Sequence, residues 1–393
     1  KIKADALMTH YLAYLFYSPF SLLVFLIIRL LSPIKIIKFG LMNSHRIGHF
    51  SIEWEIFYHS VIEKKNEYLI LSFHKEISNI FFAKMIKKKV KIYPTKFVKL
   101  IQVLNNSYLG NKKHEINFHE YIHDKSNKLI NFSPSLKFTE KEIQKGEKIL
   151  SKFEKKKIVC LLCRDGKYLS EKYNLDDSKN IRNTDVNDLT ESLKELEKKN
   201  YLIFRMGKNV EKKLSYTSEN VIDYANSDFR SDFMDIYLTS KCDFFISTGG
   251  GLDGIAIIFD KSVLYINYIP VGEWPVGSDK FLFSYKKYFD ENEKKYLSLS
   301  KIFENNLAYK YKKENELNKM GFSLRNMDSN ELKDAVLEME KYHKNIKISD
   351  EQKIFKKKFA LLIKKYPSDK NYFGNIFPTI SYNFLKKNPF FLD

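Results

Sequence analysis

The chain has 393 residues, enough for two ordinary domains with complete hydrophobic cores. Its 67 lysine and arginine residues outnumber the 48 acidic residues, which gives a formal net charge of +19. The lysines are spread along the chain without a zinc-finger, RNP-like or helix-turn-helix signature, so nucleic acid is not the expected partner. An anionic membrane surface or a polyanionic substrate fits this charge better.

The cysteine content argues against an oxidising compartment. The chain has three cysteines, too few for a disulfide framework. Cys160 and Cys163 form a C-x-x-C pair, but the pair falls in an apolar stretch that reads as a strand, where neither metal binding nor redox chemistry is expected. The bacterial cytoplasm fits these observations.

The N-terminal segment, residues 1–32, is expected to associate with a membrane. Its apolar part, Tyr11–Leu31, has about the length of a membrane span but contains Pro19 and Arg29. No small-residue cleavage site follows, so a signal peptide is not expected. We expect a helix or helical hairpin that enters the inner leaflet, making the protein peripheral or monotopic at the cytoplasmic face of the inner membrane. A complete span and a soluble helix packed on the first domain are the alternatives.

Strands and helices alternate through residues 33–135, which predicts an N-terminal Rossmann-like domain. The expected strands are Ile34–Phe39, Tyr68–Phe73 and Val90–Tyr93, and the expected helices are Ser51–Glu63, Asn79–Lys88 and Lys96–Leu104. Residues 110–135 are polar and weakly periodic and are expected to be a connector. The ligand edge of a parallel sheet lies at the carboxyl ends of its strands, where we place the loop Arg46–His49.

His49 is the first candidate for a general base. Glu53 follows it by four residues and would share its helix face if the helix begins early, so its carboxylate would orient the imidazole. Arg46, Gly48 and Glu53 are therefore expected beside His49 in a site of this first domain. The alternative is a histidine that makes structural hydrogen bonds only.

No metal ion or other cofactor is expected from the sequence. A D-x-D pair in a strand-end loop is absent from the chain, so a divalent cation at a diphosphate is not predicted. His119 and His123 have helical spacing but fall within the expected connector, which argues against a metal site there.

A second alternation fills residues 136–325 and predicts a C-terminal Rossmann-like domain. Its expected strands are Ile158–Cys163, Tyr201–Arg205, Val221–Asp223, Asp243–Ser247 and Val263–Asn267, and its main helices are Lys141–Phe153, Asp185–Lys198, Phe233–Ser240 and Leu252–Phe259. Residues 326–393 are expected to form helices that pack back across the domains. The predicted fold is α/β with GT-B architecture: two Rossmann-like domains facing across a cleft, preceded by the apolar helical segment.

The stretch Ser247–Gly251 joins an apolar strand to a helix through the sequence Ser-Thr-Gly-Gly-Gly. Glycine lets backbone approach a ligand, hydroxyl groups donate hydrogen bonds, and a helix N-terminus attracts phosphate. Ser247, Thr248, Gly249 and Gly250 are therefore candidate ligands of a phosphate group. The alternative is a tight turn that binds nothing.

Three arginines of the same half-chain fall at strand ends or at a helix start. Arg164 and Arg205 end predicted strands, and Arg182 precedes a predicted helix, where a cation is unfavourable unless an anion is near. A guanidinium can hold a diphosphate through two parallel N–H bonds. Asn183 and Gly207 are next to these arginines and complete this group of expected donor ligands.

Three further polar residues are candidates for the same site. Tyr224 is expected to stack on the donor base, and Asp235 either binds a sugar hydroxyl or stabilises the fold. Asp165 is the second candidate for the base. Its alternative role is an ion pair with Arg164, which would remove that arginine from the diphosphate.

The motifs RIGH (46–49), CRDxxYL (163–169), FRMG (204–207), SDFMDI (231–236) and STGGG (247–251) resemble, in this order, a family of bacterial GT-B glycosyltransferases from surface-polysaccharide loci. The glycine loop is also distantly similar to the donor-diphosphate loop of UDP-N-acetylglucosamine 2-epimerase-like enzymes. The CRD motif is loosely similar to a strand-end arginine motif of fucosyltransferases. Where the epimerases carry a ribose-binding glutamate, this chain offers Asp253 or nothing.

The resemblance implies transfer of a sugar from a nucleotide-sugar to an acceptor, which is a cell-envelope glycan, in lipopolysaccharide or capsule synthesis, or a lipid-linked molecule. It implies that the C-terminal domain binds the donor, with the diphosphate at Ser247–Gly250. The N-terminal domain would then bind the acceptor, near Arg46, Gly48 and Glu53. We expect this transfer to be metal-independent, and inverting because no nucleophile arrangement is evident. A sugar-nucleotide epimerase or hydrolase of the same fold, and a non-catalytic membrane-associated scaffold, are the alternatives.

Overall fold

The computed structural model describes residues 2–62, 68–106, 111–154, 156–173, 180–274, 276, 278–309, 313–368 and 376–393, with side chains from Phe16 onward except those of Leu169 and Tyr173. The chain forms two compact units. Unit 1 contains residues 1–123 and 133–138, and unit 2 contains residues 124–132 and 139–393. The chain therefore passes from one unit to the other after residues 123, 132 and 138. The division into segments 1–32, 33–135, 136–325 and 326–393, which the sequence suggested, stays a prediction.

Unit 1 is built on a three-stranded parallel sheet of order β2–β1–β3. Its elements are α1 (Ile2–Leu31), β1 (Ile37–Met42), α2 (Ile47–Phe57) followed by a π-helical turn (Tyr58–Ile62), β2 (Tyr68–Phe73), α3 (Ile80–Lys87), α4 (Thr95–Asn105) and β3 (Glu115–Ile116), with 3₁₀ turns at Lys112–His114 and Phe118–Tyr121. β2 has the predicted bounds, whereas β1 begins three residues later than Ile34.

The third strand of this sheet is not the predicted one. Val90–Tyr93 contributes only an isolated bridge between Ile92 and Leu71. Glu115–Ile116 pairs with β1 instead, from within the stretch expected to be a connector. Gly40 makes this pairing possible, because a Cβ atom there would lie 2.8 Å from Cβ of Ile116. Two residues are too few to produce a period in the sequence.

Residues 133–138 return to unit 1 through a buried polar contact. The amide and hydroxyl of Ser135 donate to the two carboxylate oxygens of Glu55, each at 2.6 Å. Nε1 of Trp54 donates to the Ser135 hydroxyl at 3.0 Å. All three residues are buried, so these hydrogen bonds fix the returning segment on α2.

Helix α1 packs one face of its described part, residues 16–31, on unit 1. Ser21, Phe25 and Ile28 are buried, and the Ser21 hydroxyl donates to the carbonyl of Phe97 on α4 at 3.3 Å. Eight other apolar side chains of this part are 37–79% exposed: Phe16, Phe20, Leu22, Leu23, Leu26, Ile27, Leu30 and Leu31. The segment is thus one helix, not a hairpin. Within the described residues, the helices fall short of the length and apolarity needed to cross a bilayer.

Unit 2 is organised around a seven-stranded parallel sheet of order β13–β9–β8–β7–β4–β5–β6. Its first elements are α5 (Glu140–Leu150), β4 (Lys157–Leu162), α6 (Lys167–Tyr173), α7 (Thr190–Lys198), β5 (Tyr201–Arg205), β6 (Val221–Ile222), α8 (Asp232–Lys241), β7 (Phe244–Ser247), α9 (Asp253–Ile258), β8 (Ser262–Tyr268) and β9 (Phe281–Tyr285). Short 3₁₀ turns occur at Val186–Leu189 and Tyr224–Asn226.

The rest of unit 2 adds a small antiparallel sheet, several helices and an edge strand. These elements are β10 (Lys287–Asp290), β11 (Lys295–Tyr296), α10 (Leu299–Glu304), α11 (Glu314–Lys319), β12 (Phe322–Arg325), α12 (Ser329–Tyr342), α13 (Asp350–Lys365), β13 (Thr379–Ile380), α14 (Tyr382–Lys387) and a 3₁₀ turn at Pro389–Leu392. Beside the helices expected after residue 325, this region thus contributes β13, which pairs with β9 in the main sheet.

The strand order of the main sheet reverses between β4 and β7. From β4 the chain adds β5 and β6 on one side, and then β7, β8 and β9 on the other. In open parallel sheets, ligands bind beyond the carboxyl ends of the strands at such a reversal. The predicted α/β class with parallel sheets is confirmed, and the reversal selects the loops after β4 and β7 as the candidate site of unit 2.

Candidate active site

The loops after β4 and β7 are joined by backbone hydrogen bonds. The amide of Arg164 donates to the hydroxyl of Thr248 at 2.8 Å, and the amide of Thr248 donates to the carbonyl of Leu162 at 3.2 Å. The carbonyl of Arg164 accepts from the amide of Thr184 at 3.1 Å. Both the amide and the carbonyl of Arg164 are therefore hydrogen-bonded, which fixes its backbone at the strand-order reversal. Its side chain is half-buried.

The Ser247 hydroxyl is occupied within its own loop. It accepts from the amides of Gly249 (3.0 Å) and Gly250 (3.2 Å) and donates to Oδ2 of Asp253 (3.0 Å). Gly249 has φ +82°, and a Cβ on Gly250 would lie 2.4 Å from Cδ2 of Leu162. These residues shape the loop, so the structure does not support the direct diphosphate contacts expected of this hydroxyl and these amides. Helix α9 has six residues and is too short to add a helix-terminal anion site.

Asp253 lies beneath the glycine loop. Burial raises the pKa of its carboxyl to about 7, although the hydrogen bond from Ser247 and the charge of Arg182 oppose this shift. The carboxyl is 6% exposed and points into the loop. Asp253 therefore supports Ser247 and does not present a ribose-binding group.

Arg182 brings a cation to this loop, and Lys286 brings a second cation to the segment that carries Arg182. Nη2 of Arg182 donates to the carbonyl of Gly249. Nζ of Lys286 donates to the carbonyl of Asn183 at 2.9 Å, and this lysine is only 4% exposed. Burial lowers the pKa of Lys286 to about 8, against the opposing charge of Asp188. No sequence pattern indicates a role for Lys286, which directly follows β9.

Arg205 and Gly207 are corrections to the predicted donor site. Arg205 is 1% exposed; it donates from Nη1 to Oδ1 of Asp223 at 3.1 Å and from Nη2 to the carbonyl of Lys212 at 3.0 Å. A guanidinium buried in this way cannot reach a diphosphate. Gly207 has φ +148°, and a Cβ there would lie 2.6 Å from Cγ1 of Val210, so the turn itself requires glycine.

Asp165 is also occupied by its own loop. Its carboxylate oxygens accept from the amides of Lys167 at 3.2 Å and Glu211 at 2.9 Å. Oδ2 lies 3.9 Å from Nη2 of Arg205, the arginine with which it is paired in place of Arg164. The structure therefore favours a loop-ordering role over the predicted role as second base.

Tyr224 and Asp235 belong to a buried polar cluster. The Tyr224 hydroxyl donates to Oδ1 of Asp235 at 2.7 Å and accepts from the amide of Ser231 at 3.1 Å. Asp235 also accepts from Nη2 of Arg230. Because Tyr224 is 0% exposed, its ring cannot stack on a base, and that prediction is wrong. For Asp235, these contacts favour a role in stabilising the fold over binding of a sugar hydroxyl.

In unit 1, the carboxyl ends of β1 and β2 carry several imidazoles. The rings of His45 and His74 have centroids 4.9 Å apart. Exposed Arg46 is the N-cap residue of α2, and half-buried Gly48 lies in its first turn, where its carbonyl accepts from the Ser51 hydroxyl at 3.1 Å. Because α2 begins at Ile47, four residues before the predicted start, His49 lies on the helix, not in a loop.

His49 and Glu53 form a hydrogen-bonded pair on α2. Nδ1 of His49 lies 2.8 Å from Oε1 of Glu53, and Nδ2 of Asn43 donates to both oxygens of that carboxylate at 3.1 and 2.9 Å. Burial raises the pKa of Glu53, while the hydrogen bond from His49 lowers it. When Nδ1–H donates to Glu53, Nε2 keeps its lone pair, and the His49 side chain is 30% exposed. This is the arrangement of a histidine general base that a carboxylate orients.

His119 completes a cluster that the sequence did not indicate. Its ring stacks on His49 with centroids 5.7 Å apart and an interplanar angle of 13°. Nδ1 of His119 lies 4.0 Å from Oε1 of Glu53. In the sequence, His119 has helical spacing only with His123, four residues later. Its structural partner His49 lies 70 residues earlier, and such a separation leaves no local pattern.

No protein-family model matches this chain, and no curated protein matches it. Among solved structures, ADP-heptose LPS heptosyltransferase II of E. coli is similar with a TM-score of 0.38 and 11% identity, over 63% of this chain and 90% of that one. A glycosyl transferase family 9 protein of Veillonella parvula has a TM-score of 0.41 and 9% identity, over 64% and 86%. Similarity at this level carries no argument about activity.

Proposed function

We propose that this protein is a glycosyltransferase of GT-B architecture that moves a sugar from a nucleotide-sugar to a cell-envelope glycan or lipid-linked acceptor. The observation that carries the proposal is the strand-order reversal between β4 and β7. Arg164 lies in the loop after β4, and Arg182 donates to the carbonyl of Gly249 in the loop after β7. Open parallel sheets bind nucleotides at such a point, and arginine is suited to a diphosphate.

In the proposed reaction, the acceptor oxygen attacks the anomeric carbon of the donor. The bond from that carbon to the diphosphate oxygen breaks, and the nucleoside diphosphate leaves with the electron pair. Arg164 and Arg182 stabilise the developing negative charge. In other transferases, metal ions supply this stabilisation. Nε2 of His49 accepts the proton of the acceptor hydroxyl, and Glu53 stabilises the resulting imidazolium. Direct displacement inverts the anomeric configuration.

Binding and turnover with a nucleotide-sugar panel test this proposal. We expect one class among UDP-, GDP- and CMP-sugars to raise the melting temperature of the purified chain, because a ligand of the folded state stabilises it. Sugar transfer should then require an acceptor glycan. Conversion of the donor without an acceptor would instead identify an epimerase or hydrolase. If no nucleotide-sugar shifts the melting temperature, the chain is a scaffold and the proposal is wrong.

We further propose that α1 holds the enzyme on the cytoplasmic face of the inner membrane. Its eight exposed apolar side chains between Phe16 and Leu31 form a surface that is unfavourable in water. Arg29 lies in the last turn, and exposed Lys35 follows it, so cations border this surface. Apolar helix faces with flanking cations bind the interface of anionic bilayers.

Vesicle flotation tests the membrane role. The full chain should float with vesicles of phosphatidylcholine containing anionic phosphatidylglycerol, and less with phosphatidylcholine alone. The double variant Leu23→Glu/Leu30→Glu should lower the bound fraction by about tenfold or more, because each side chain loses about 1.5–3 kcal/mol of apolar burial. Leu361→Glu is the matched control, since Leu361 is 68% exposed on α13 of unit 2. Equal flotation of the double variant and this control would refute the role of α1.

A further inference from the structure

Three side chains of unit 1 bring possible ligand atoms to one point. One nitrogen each of His49 and His119 and one carboxylate oxygen of Glu53 lie within 4.8 Å of one another. His49 and Glu53 are one helical turn apart on α2, and His119 lies in the 3₁₀ turn Phe118–Tyr121. The fold therefore assembles a set that consists of two imidazoles and one carboxylate.

We propose that His49, Glu53 and His119 bind a divalent transition-metal ion of the Zn²⁺ class. Two imidazole nitrogens with one carboxylate oxygen are a ligand set of zinc sites that keep an open position. Bonds of about 2.0–2.1 Å in a tetrahedral site place ligand atoms about 3.3 Å apart. The Glu53 oxygen lies 2.8 Å from His49 and 4.0 Å from His119, so small side-chain rotations would suffice.

The surroundings of the cluster fit such an ion. Asn43 donates to both oxygens of Glu53, which fixes the carboxylate as hydrogen-bonded groups around metal ligands do. The side chains of His49 and His119 are 30% and 59% exposed, so an ion can enter from solvent and keep water at its open position. Two nitrogen ligands disfavour Mg²⁺ and Ca²⁺, which prefer oxygen.

A metal ion bound at this site would prevent His49 from acting as the general base. This inference rests on the proposed function. An ion bound to Nδ1 of neutral His49 leaves the ring proton on Nε2, the atom proposed to accept the acceptor proton. The ion would also bind the Glu53 carboxylate, which then no longer accepts a hydrogen bond from Nδ1–H of His49. Metal binding and proton transfer at His49 therefore exclude each other, and the ion would inhibit transfer instead of assisting it.

Metal titration of the full chain tests the site without reference to activity. After dialysis against a chelator, calorimetry with ZnCl₂ and visible spectroscopy with CoCl₂ should show one ion bound per chain. His119→Ala should weaken binding by at least tenfold, because it removes one of three ligands. Asn43→Ala should weaken it by about 10–100-fold, because Glu53 loses its orientation.

His74→Ala is the matched control, because His74 is an exposed histidine that follows β2 at the same sheet edge. This variant should keep the affinity of the native chain. A lack of stoichiometric binding, an unchanged affinity in His119→Ala, or a loss of affinity in His74→Ala would each overturn the site. Stoichiometric binding that leaves transfer unaffected would retain the site and refute the role of His49 as base.

Discussion

Replacing His49 with alanine is expected to lower kcat for sugar transfer by about 10²–10⁴-fold, the usual contribution of a positioned general base. The imidazole is held by the buried carboxylate of Glu53 at 2.8 Å and is 30% exposed. Removing it should therefore change the chemistry more than the packing. Transfer rates at saturating donor and acceptor, together with the melting temperature, measure the two effects separately.

His74→Ala again provides the control, since it removes an exposed imidazole that has no assigned part in transfer. Its kcat should equal that of the native chain. A second variant, Glu53→Gln, keeps a hydrogen-bond acceptor for His49 but removes the charge that stabilises the imidazolium, so it should give an intermediate loss. Native kcat in a folded His49→Ala variant would show that another group accepts the proton.

Arg164→Ala is expected to reduce transfer by about 10²–10³-fold, comparable to the loss of one preorganised group that stabilises charge in a transition state. It should also abolish the thermal stabilisation by the nucleotide-sugar. The hydrogen bonds that join the two loops use the backbone of Arg164, so they survive the substitution. The melting temperature without ligand should therefore change little.

Lys167→Ala is the matched control for charge, because Lys167 is an exposed cation three residues further along the chain. It should retain both activity and ligand stabilisation. Arg164→Lys should recover only part of the activity, since an ammonium group cannot make two parallel hydrogen bonds to a diphosphate. Normal turnover in a folded Arg164→Ala variant would place the donor elsewhere.

The sequence predicted elements well where a long apolar run ends at a clear signal. Tyr201–Arg205 has the predicted bounds because five buried residues follow Asn200, which has φ +65° and ends the preceding helix region. The two-residue strands Glu115–Ile116 and Thr379–Ile380 were missed. Their pairing depends on partners far along the chain, which no local period records.

The candidate site divides in the same way. The pairing of His49 with Glu53 follows from helical spacing and could be predicted. The burial of Arg205 and Tyr224 could not, because a polar residue near a strand end gives the same pattern whether it faces a cleft or a buried acid. Lys286 and His119 gave no signal, since each acquires its neighbours only in the folded chain.

The contact of Ser135 with Glu55 limits how this gene can be divided or recombined. A chain that ends at residue 123 would lack the amide and hydroxyl that satisfy the buried Glu55 carboxylate. Each lost hydrogen bond to such a group destabilises a protein by about 1–3 kcal/mol. A polypeptide that supplies unit 1 must therefore extend to Phe138 and carry residues 124–132, which belong to unit 2. A crossover that exchanges unit 1 between related genes should be tolerated after Phe138, but not before Ser135.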